Sequence, residues 1–128
     1  MRLLLDTHLL LWAAAKSRRL PKTARLLLED PANEVFFSAA SLWEIVIRSS
    51  FRREDFDVDV AVLRPALAEM GFSELPVSGA HAERLAGLPP LPKDPFDRML
   101  VAQSLAEPVL LLTSDDVLGG YGDSVKVV

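Results

Sequence analysis

The chain contains no cysteine, so disulfides, thiolate metal centres and cysteine nucleophiles are all excluded. Histidine is nearly as scarce. His8 and His81 are the only two, and most of the chain separates them, so they make no metal-ligand pair. His81 reads as an ordinary helix-surface residue. His8 reads either as a hydrogen-bonding residue at a helix start or as a group within reach of a substrate phosphate. A glycine-rich phosphate loop is also lacking, because "GLPP" and "LGGYG" have the wrong spacing. No apolar run reaches the roughly 18 residues of a membrane span. The one apolar stretch near the N-terminus is interrupted by Asp6 and has no small-residue cleavage site after it, unlike a signal peptide. From these absences a soluble, cytoplasmic protein is expected, with no membrane partner. Basic residues are outnumbered, 14 against 18 acids, for a net charge of −4. Taken alone, that balance argues mildly against nucleic-acid binding, which needs Lys and Arg for phosphates. The bases gather, however, at Lys16, Arg18, Arg19, Lys22 and Arg25, and again at Arg48, Arg52 and Arg53. Either cluster by itself reads as a solvated helix face.

What is present is ordinary globular composition: 128 residues, 50% hydrophobic and 25% charged. That suits a single domain over 1–128 with a real core. "RLLL" at 2–5 predicts a short buried strand, followed by a helix from about His8 to Lys16. A second helix runs from about Pro21 to Glu29, with proline in its first turn. "NEVFFS" predicts a strand, and Ser38 then caps the helix "AASLWEIVIRSS". Asp59 to Gly71 looks helical, although Pro65 sits badly inside it and predicts a late start or a kink. "FSELPV" suggests a short strand and Ser78 caps a helix to about Ala86. After the rigid connection "GLPPLPKDP", Asp94-Pro95 opens the helix "PFDRMLVAQSLAE". "VLLLT" is a further strand and "SVKVV" a final one. Short apolar strands alternating with helices predict an α/β fold with a short, mostly parallel central sheet.

Sites in such sheets form beyond the carboxyl ends of the strands. Asp6 falls just past the first strand, and Asp115 and Asp116 just past "VLLLT". Asp6 inside the run "LLLDTHLLLW" would cost several kcal/mol to bury without compensation. Capping the next helix and holding a cation are equally good reasons for it. Asp94 reads as a helix cap with Asp97 in the acidic third position. Asp97 lies on an apolar helix beside Leu100, Val101 and Ser104, where a metal accounts for its charge better than the helix dipole does. Asp115 is nearer the strand end than Asp116, and of the two it is the better site candidate. Glu44 looks weaker. On a helical wheel Leu42, Trp43, Val46 and Ile47 form the apolar face, with Glu44 off it and four residues before Arg48, an ordinary surface pair. Carboxylates converging on one sheet edge repel one another, and hard divalent cations such as Mg²⁺ or Mn²⁺ relieve this. Such sites do nuclease or phosphatase chemistry.

"LLLDTHLLLW", "SAASLWEI" at 38–45, "KDPFDRMLVAQSLA" at 93–106 and "VLLLTSDD" at 109–116, in this order and spacing, resemble the PIN-domain ribonucleases. They are most similar to the VapC-type toxins of bacterial toxin–antitoxin pairs, and the similarity extends over essentially the whole chain. The resemblance implies a three-layer α/β/α fold and Mg²⁺- or Mn²⁺-dependent endonucleolytic cleavage of RNA. It places the catalytic acids at Asp6, Glu44, Asp97 and Asp115, with Asp6, Asp97 and Asp115 as metal ligands. Glu44, Asp94 and Asp116 stand as further candidate ligands. Thr7 and Thr113 fall where the family often has a hydroxyl near the metal. A homodimer and an antitoxin that inserts a segment into the active-site groove are also implied. For Glu44 the resemblance overrules the wheel. The chain departs from the family beside Asp115, where Ser114 and Asp116 stand in place of frequent basic residues. Arg18, Arg19 or Arg98 would then position the RNA backbone.

Two other readings compete. A phosphatase or phosphotransferase of the haloacid-dehalogenase kind also puts an aspartate after its first strand, but needs a second acid where His8 stands. A catalytically inactive PIN-like binding module would have no reason to retain the four acids.

Overall fold

The first strand, β1 (Arg2–Leu5), lies at the centre of the molecule because both of its faces are apolar. Leu3 and Leu5 point into one core and Leu4 into the other, the alternation a pleated strand imposes. The computed structural model describes residues 1–51, 57–90 and 94–128. Arg52, Arg53 and Lys93 lie outside the described residues.

Four further strands join β1: β2 (Glu34–Ser38), β3 (Ser73–Leu75), β4 (Leu110–Thr113) and β5 (Val125–Val127). Their order is β3-β2-β1-β4-β5 and every pairing is parallel. Leu5 therefore stands beside Phe37 on one side and Leu112 on the other. The chain builds outward from β1 through β2 to β3, then returns to lay β4 on the opposite side of β1. This reversal makes a crevice at the carboxyl ends of β1 and β4.

Helices cover both faces, which parallel sheets require. One layer is formed by α1 (Thr7–Ala14), α2 (Lys22–Glu29), α3 (Ala39–Ser50) and α4 (Val60–Glu69). Their Leu9, Leu10, Ala24, Leu42, Ile45, Leu63 and Leu67 pack against Leu3, Leu5, Val35 and Phe37. The other layer has α5 (Gly79–Leu85) packed along α6 (Pro95–Ala106). There Leu100 and Val101, with Leu118 from a 3-10 helix (Asp116–Tyr121), cover Leu4, Leu111 and Val125. The three-layer α/β/α expectation holds, with a sheet that is parallel throughout. No helix among the described residues is long and apolar enough to cross a membrane.

Several local expectations hold with shifted ends. Ser38 caps α3 by accepting the Ala40 N–H at 3.0 Å, and Asp59 caps α4 by accepting the Ala61 N–H at 2.9 Å. Pro65 is simply accommodated inside α4, which starts on time at Val60. Pro21 precedes α2 as its cap instead of occupying its first turn.

Two expectations are overturned. His81 is buried (1% exposed), not a surface residue. Its Nδ1 accepts the Ser78 N–H at 3.0 Å, completing a capping box on α5, and its Nε2 lies 2.7 Å from Glu107 Oε2. The wheel reading of α3 also fails. Trp43 and Val46 are 63% and 53% exposed, while Glu44 is buried at 4%. The helix crosses the sheet so that Ser41, Leu42, Glu44 and Ile45 face inward, toward both the core and the crevice. Periodicity locates an apolar stripe but cannot tell a core from an exposed apolar patch.

Candidate active site

The end of β1 delivers Asp6 to the crevice, where its backbone N–H still donates to Leu112 O of β4 at 3.0 Å. Asp6 is extended and caps α1, with Oδ1 accepting the Leu9 N–H at 2.8 Å. Its Oδ2 accepts the Thr113 hydroxyl at 2.6 Å, and Asp6 is only 5% exposed. Burial pushes its carboxyl above the usual range, opposed by the Thr113 hydroxyl, the Leu9 N–H and His8. The cap and the site are therefore one residue.

Thr113 ends β4 and couples two acids. Its Oγ1 donates to Asp6 and accepts the Asp115 N–H at 3.0 Å. Asp115 in turn caps the 3-10 helix, with Oδ1 on the Val117 N–H at 3.0 Å. Glu44 enters from α3. Its Oε1 accepts the Thr7 hydroxyl at 2.7 Å, and Thr7 Oγ1 also lies 2.9 Å from Ser41 Oγ. Its Oε2 accepts Arg48 Nε at 2.7 Å, so the expected pair with Arg48 forms, but at the wall of a cavity.

Asp94 and Asp97 come from the start of α6. Asp94 Oδ1 takes the N–H groups of Phe96 and Asp97, at 2.9 and 3.1 Å, as the cap reading expects. Its Oδ2 accepts Arg48 Nη2 at 2.9 Å. Asp97 is partly buried and its pKa is pushed up to about 7, first by desolvation and then by Asp94, Glu44, Asp6 and Asp115.

These elements enclose a cavity of about 130 Å³ lined by Asp6, Glu44, Asp94, Asp97 and Asp115, with Thr7, His8, Arg48 and Ser114. All four acids expected from the sequence meet there, and Asp94 joins them. Asp116 does not line it, being exposed at the start of the 3-10 helix. Ser41 and Ser114 carried no signal of their own in the sequence. Arg48 did, through its four-residue spacing from Glu44, but that spacing looked like a surface pair.

Among the described residues, no group of three Asp, Glu or His side chains is already drawn up to hold a metal ion. The donor set nevertheless suits a hard divalent cation. The Asp97 pKa is raised first by burial and then by four neighbouring carboxylates, and a bound cation would relieve that repulsion. Mg²⁺ normally keeps several waters and takes only one or two carboxylates directly. At about 30 Å³ of liquid volume per water, the cavity leaves space for such a hydrated ion.

A family model described as "PIN domain" matches residues 3–122. Two solved structures share the fold over nearly their whole length. One is VapBC2 from Rickettsia felis bound to a DNA fragment from its promoter. It has a TM-score of 0.68 and 14% identity, with 100% of this chain and 98% of that chain covered. The other is a toxin–antitoxin complex from Klebsiella pneumoniae, with a TM-score of 0.62, 23% identity and coverages of 97% and 95%. No curated protein sequence is similar enough to match. With the model match spanning nearly all of the sequence and the acids gathered at the carboxyl edge of the sheet, the chain belongs to the PIN domain family.

Proposed function

We propose that this PIN domain is a divalent-metal-dependent endoribonuclease, using Mg²⁺ or Mn²⁺, and the toxin of a toxin–antitoxin pair. The observation that carries the reading is the convergence of Asp6, Glu44, Asp97 and Asp115 on one small cavity, with Asp97 raised to about 7 first by burial and then by the neighbouring carboxylates. Asp6, Asp97 and Asp115 would hold the ion, directly or through water. When bound, the ion neutralises charge building on the phosphate and makes water a better nucleophile. Glu44, fixed by Thr7 and Arg48, orients the attacking water and accepts its proton. The Thr113 hydroxyl keeps the Asp6 and Asp115 positions in register. Water adds to phosphorus, the bond to the leaving ribose oxygen breaks, and that oxygen takes up a proton from solvent.

A route for RNA leads to this cavity. The Arg19 guanidinium stacks 5.1 Å from the Trp12 ring centroid, and Trp12 lies 5.7 Å from the ring of His8 at the cavity wall. The two rings are tilted by 45°, and aromatic faces beside a cation are the kind of surface on which single-stranded RNA bases stack. Arg98 is less suited to that task, since its Nη1 donates to Pro89 O at 2.6 Å and lies 3.3 Å from the Tyr121 hydroxyl. Likeness to two toxin–antitoxin complexes supports an antitoxin partner. Trp43, exposed and edge-on to Phe96 at 5.1 Å, together with Val46 offers apolar surface for a homodimer.

The decisive test is cleavage of single-stranded RNA by wild type and Asp6→Asn, each with Mn²⁺ and with EDTA. Loss of a ligand or of the ion is expected to reduce cleavage by at least about a hundredfold. Activity that survives both treatments overturns the reading.

A further inference from the structure

Arg48 is the one basic side chain among the described residues lining the acidic cavity apart from His8, and its geometry is specific. One edge of the guanidinium is divided between two carboxylates from different helices. Nε reaches Glu44 Oε2 at 2.7 Å and Nη2 reaches Asp94 Oδ2 at 2.9 Å. Arg48 side-chain exposure is 24%, so the charge sits at the rim, partly shielded from water. The two acids it grips differ in their remaining bonds. Asp94 spends Oδ1 on two backbone N–H groups, and Arg48 takes the other oxygen. Among the described residues, Glu44 keeps only the Thr7 hydroxyl besides Arg48.

We propose that Arg48 is a positioning residue acting as the cavity's internal counter-cation. It withdraws Asp94 from the ligand set, aims Glu44 into the cavity, and lowers the affinity of the remaining acids for a divalent ion. This rests on the metal-nuclease reading. Two consequences of opposite sign follow. Removing the guanidinium leaves the pocket more negative and frees two carboxylates, so a divalent cation binds more tightly. The same change releases Glu44 from its fixed orientation, so cleavage slows even when metal saturates. A purely structural role would weaken both together, in proportion to the folded fraction. Lysine retains the charge but not the planar fork that spans two carboxylates.

The test is calorimetric titration of Mn²⁺ into metal-free wild type, Arg48→Gln and Arg48→Lys, alongside RNA cleavage at saturating Mn²⁺. Arg48→Gln is expected to bind Mn²⁺ about tenfold more tightly than wild type, the effect of losing one like charge at the site. Its cleavage is expected to fall about tenfold or more, the loss typical of a displaced supporting group. Arg48→Lys should bind Mn²⁺ like wild type and still cleave more slowly. If Arg48→Gln fails to fold, the lysine variant decides: wild-type turnover in it overturns the proposal. Unchanged or weaker Mn²⁺ binding by Arg48→Gln also overturns it, while wild-type Mn²⁺ uptake and EDTA-sensitive cleavage leave the nuclease reading standing. If wild type takes up no Mn²⁺, the metal-nuclease reading fails, and the positioning role of Arg48 that rests on it fails with it even where Arg48→Gln gains uptake. Uptake by neither overturns both.

Discussion

Asp6, Glu44 and Asp97 are three carboxylates kept in three different ways, and their environments separate their roles. Asp6 is deeply buried but fully hydrogen-bonded, and Glu44 is buried against a guanidinium. Asp97 has no hydrogen bond to its carboxylate among the described residues, and it carries the electrostatic strain of the cavity. Its folded pKa of about 7 lies above the ordinary value of 3.8, so between these values the folded protein holds more protons than the unfolded chain. Stability from this group is therefore full below about pH 4 and is lost as pH rises through about 7. In metal-free protein, Asp97→Asn is expected to raise the melting temperature at pH 8 and to leave it nearly unchanged at pH 4. Saturating Mn²⁺ should reverse the pH 8 order, because only wild type gains from the ion. Thermal melts in EDTA and in Mn²⁺ check this, and equal melting temperatures at pH 8 would refute it. Asp97 was legible in the sequence as an acid on a buried helix. Glu44 was legible only through the family resemblance and not from periodicity, since its neighbours Trp43 and Val46 imitate a core face.

At the scale of elements, α1 does two jobs. Its first residue, Thr7, holds Glu44, and the face of His8 and, one turn on, Trp12 leads toward Arg19. The basic stretch following it includes Lys16, whose φ of 51° turns the chain out of the helix. Lys16, Arg18 and Arg25 also line a cavity of about 580 Å³ below that turn. Reversing charge there with Arg18→Glu and Arg19→Glu together should weaken RNA binding. It should also flatten the salt dependence, by about one unit of slope for each phosphate no longer neutralised. Mn²⁺ affinity should not change. Fluorescence anisotropy over a salt series measures the first effect and calorimetry the second; an unaltered slope would remove these residues from the RNA path. The sequence showed this cluster plainly, yet could not distinguish a solvated face from a track, because that depends on where α1 begins relative to the cavity.

Across the whole molecule, the site is only as good as the strand that presents it. Leu4 is fully buried in the middle of β1, opposite the face that carries Leu3 and Leu5. Leu4→Ala is expected to destabilise by about 2–5 kcal/mol, a large part of the roughly 5–15 kcal/mol typical of a domain. Urea unfolding followed by circular dichroism gives the value, and a change below about 1 kcal/mol would show the core collapsing around the gap. The acidic net charge is no obstacle to the proposed RNA substrate on this scale. Asp6, Glu44, Asp94, Asp97 and Asp115 line one cavity that a bound cation would neutralise, and the bases proposed to meet phosphate lie outside it.

The amino-acid sequence by itself determined the strands, most of the helix caps, and the placement of Asp6 and Asp115 past strand ends. These follow from local rules: apolar runs of strand length, and Ser or Asp where a helix must start. Only the tertiary structure decided which way α3 faces, and so that Glu44 is a wall of the cavity and Arg48 its clamp. It likewise decided that His81 is buried, because Glu107 and Ser78 meet its two ring nitrogens. Those outcomes depend on how helices cross a sheet, which no periodicity within one segment records.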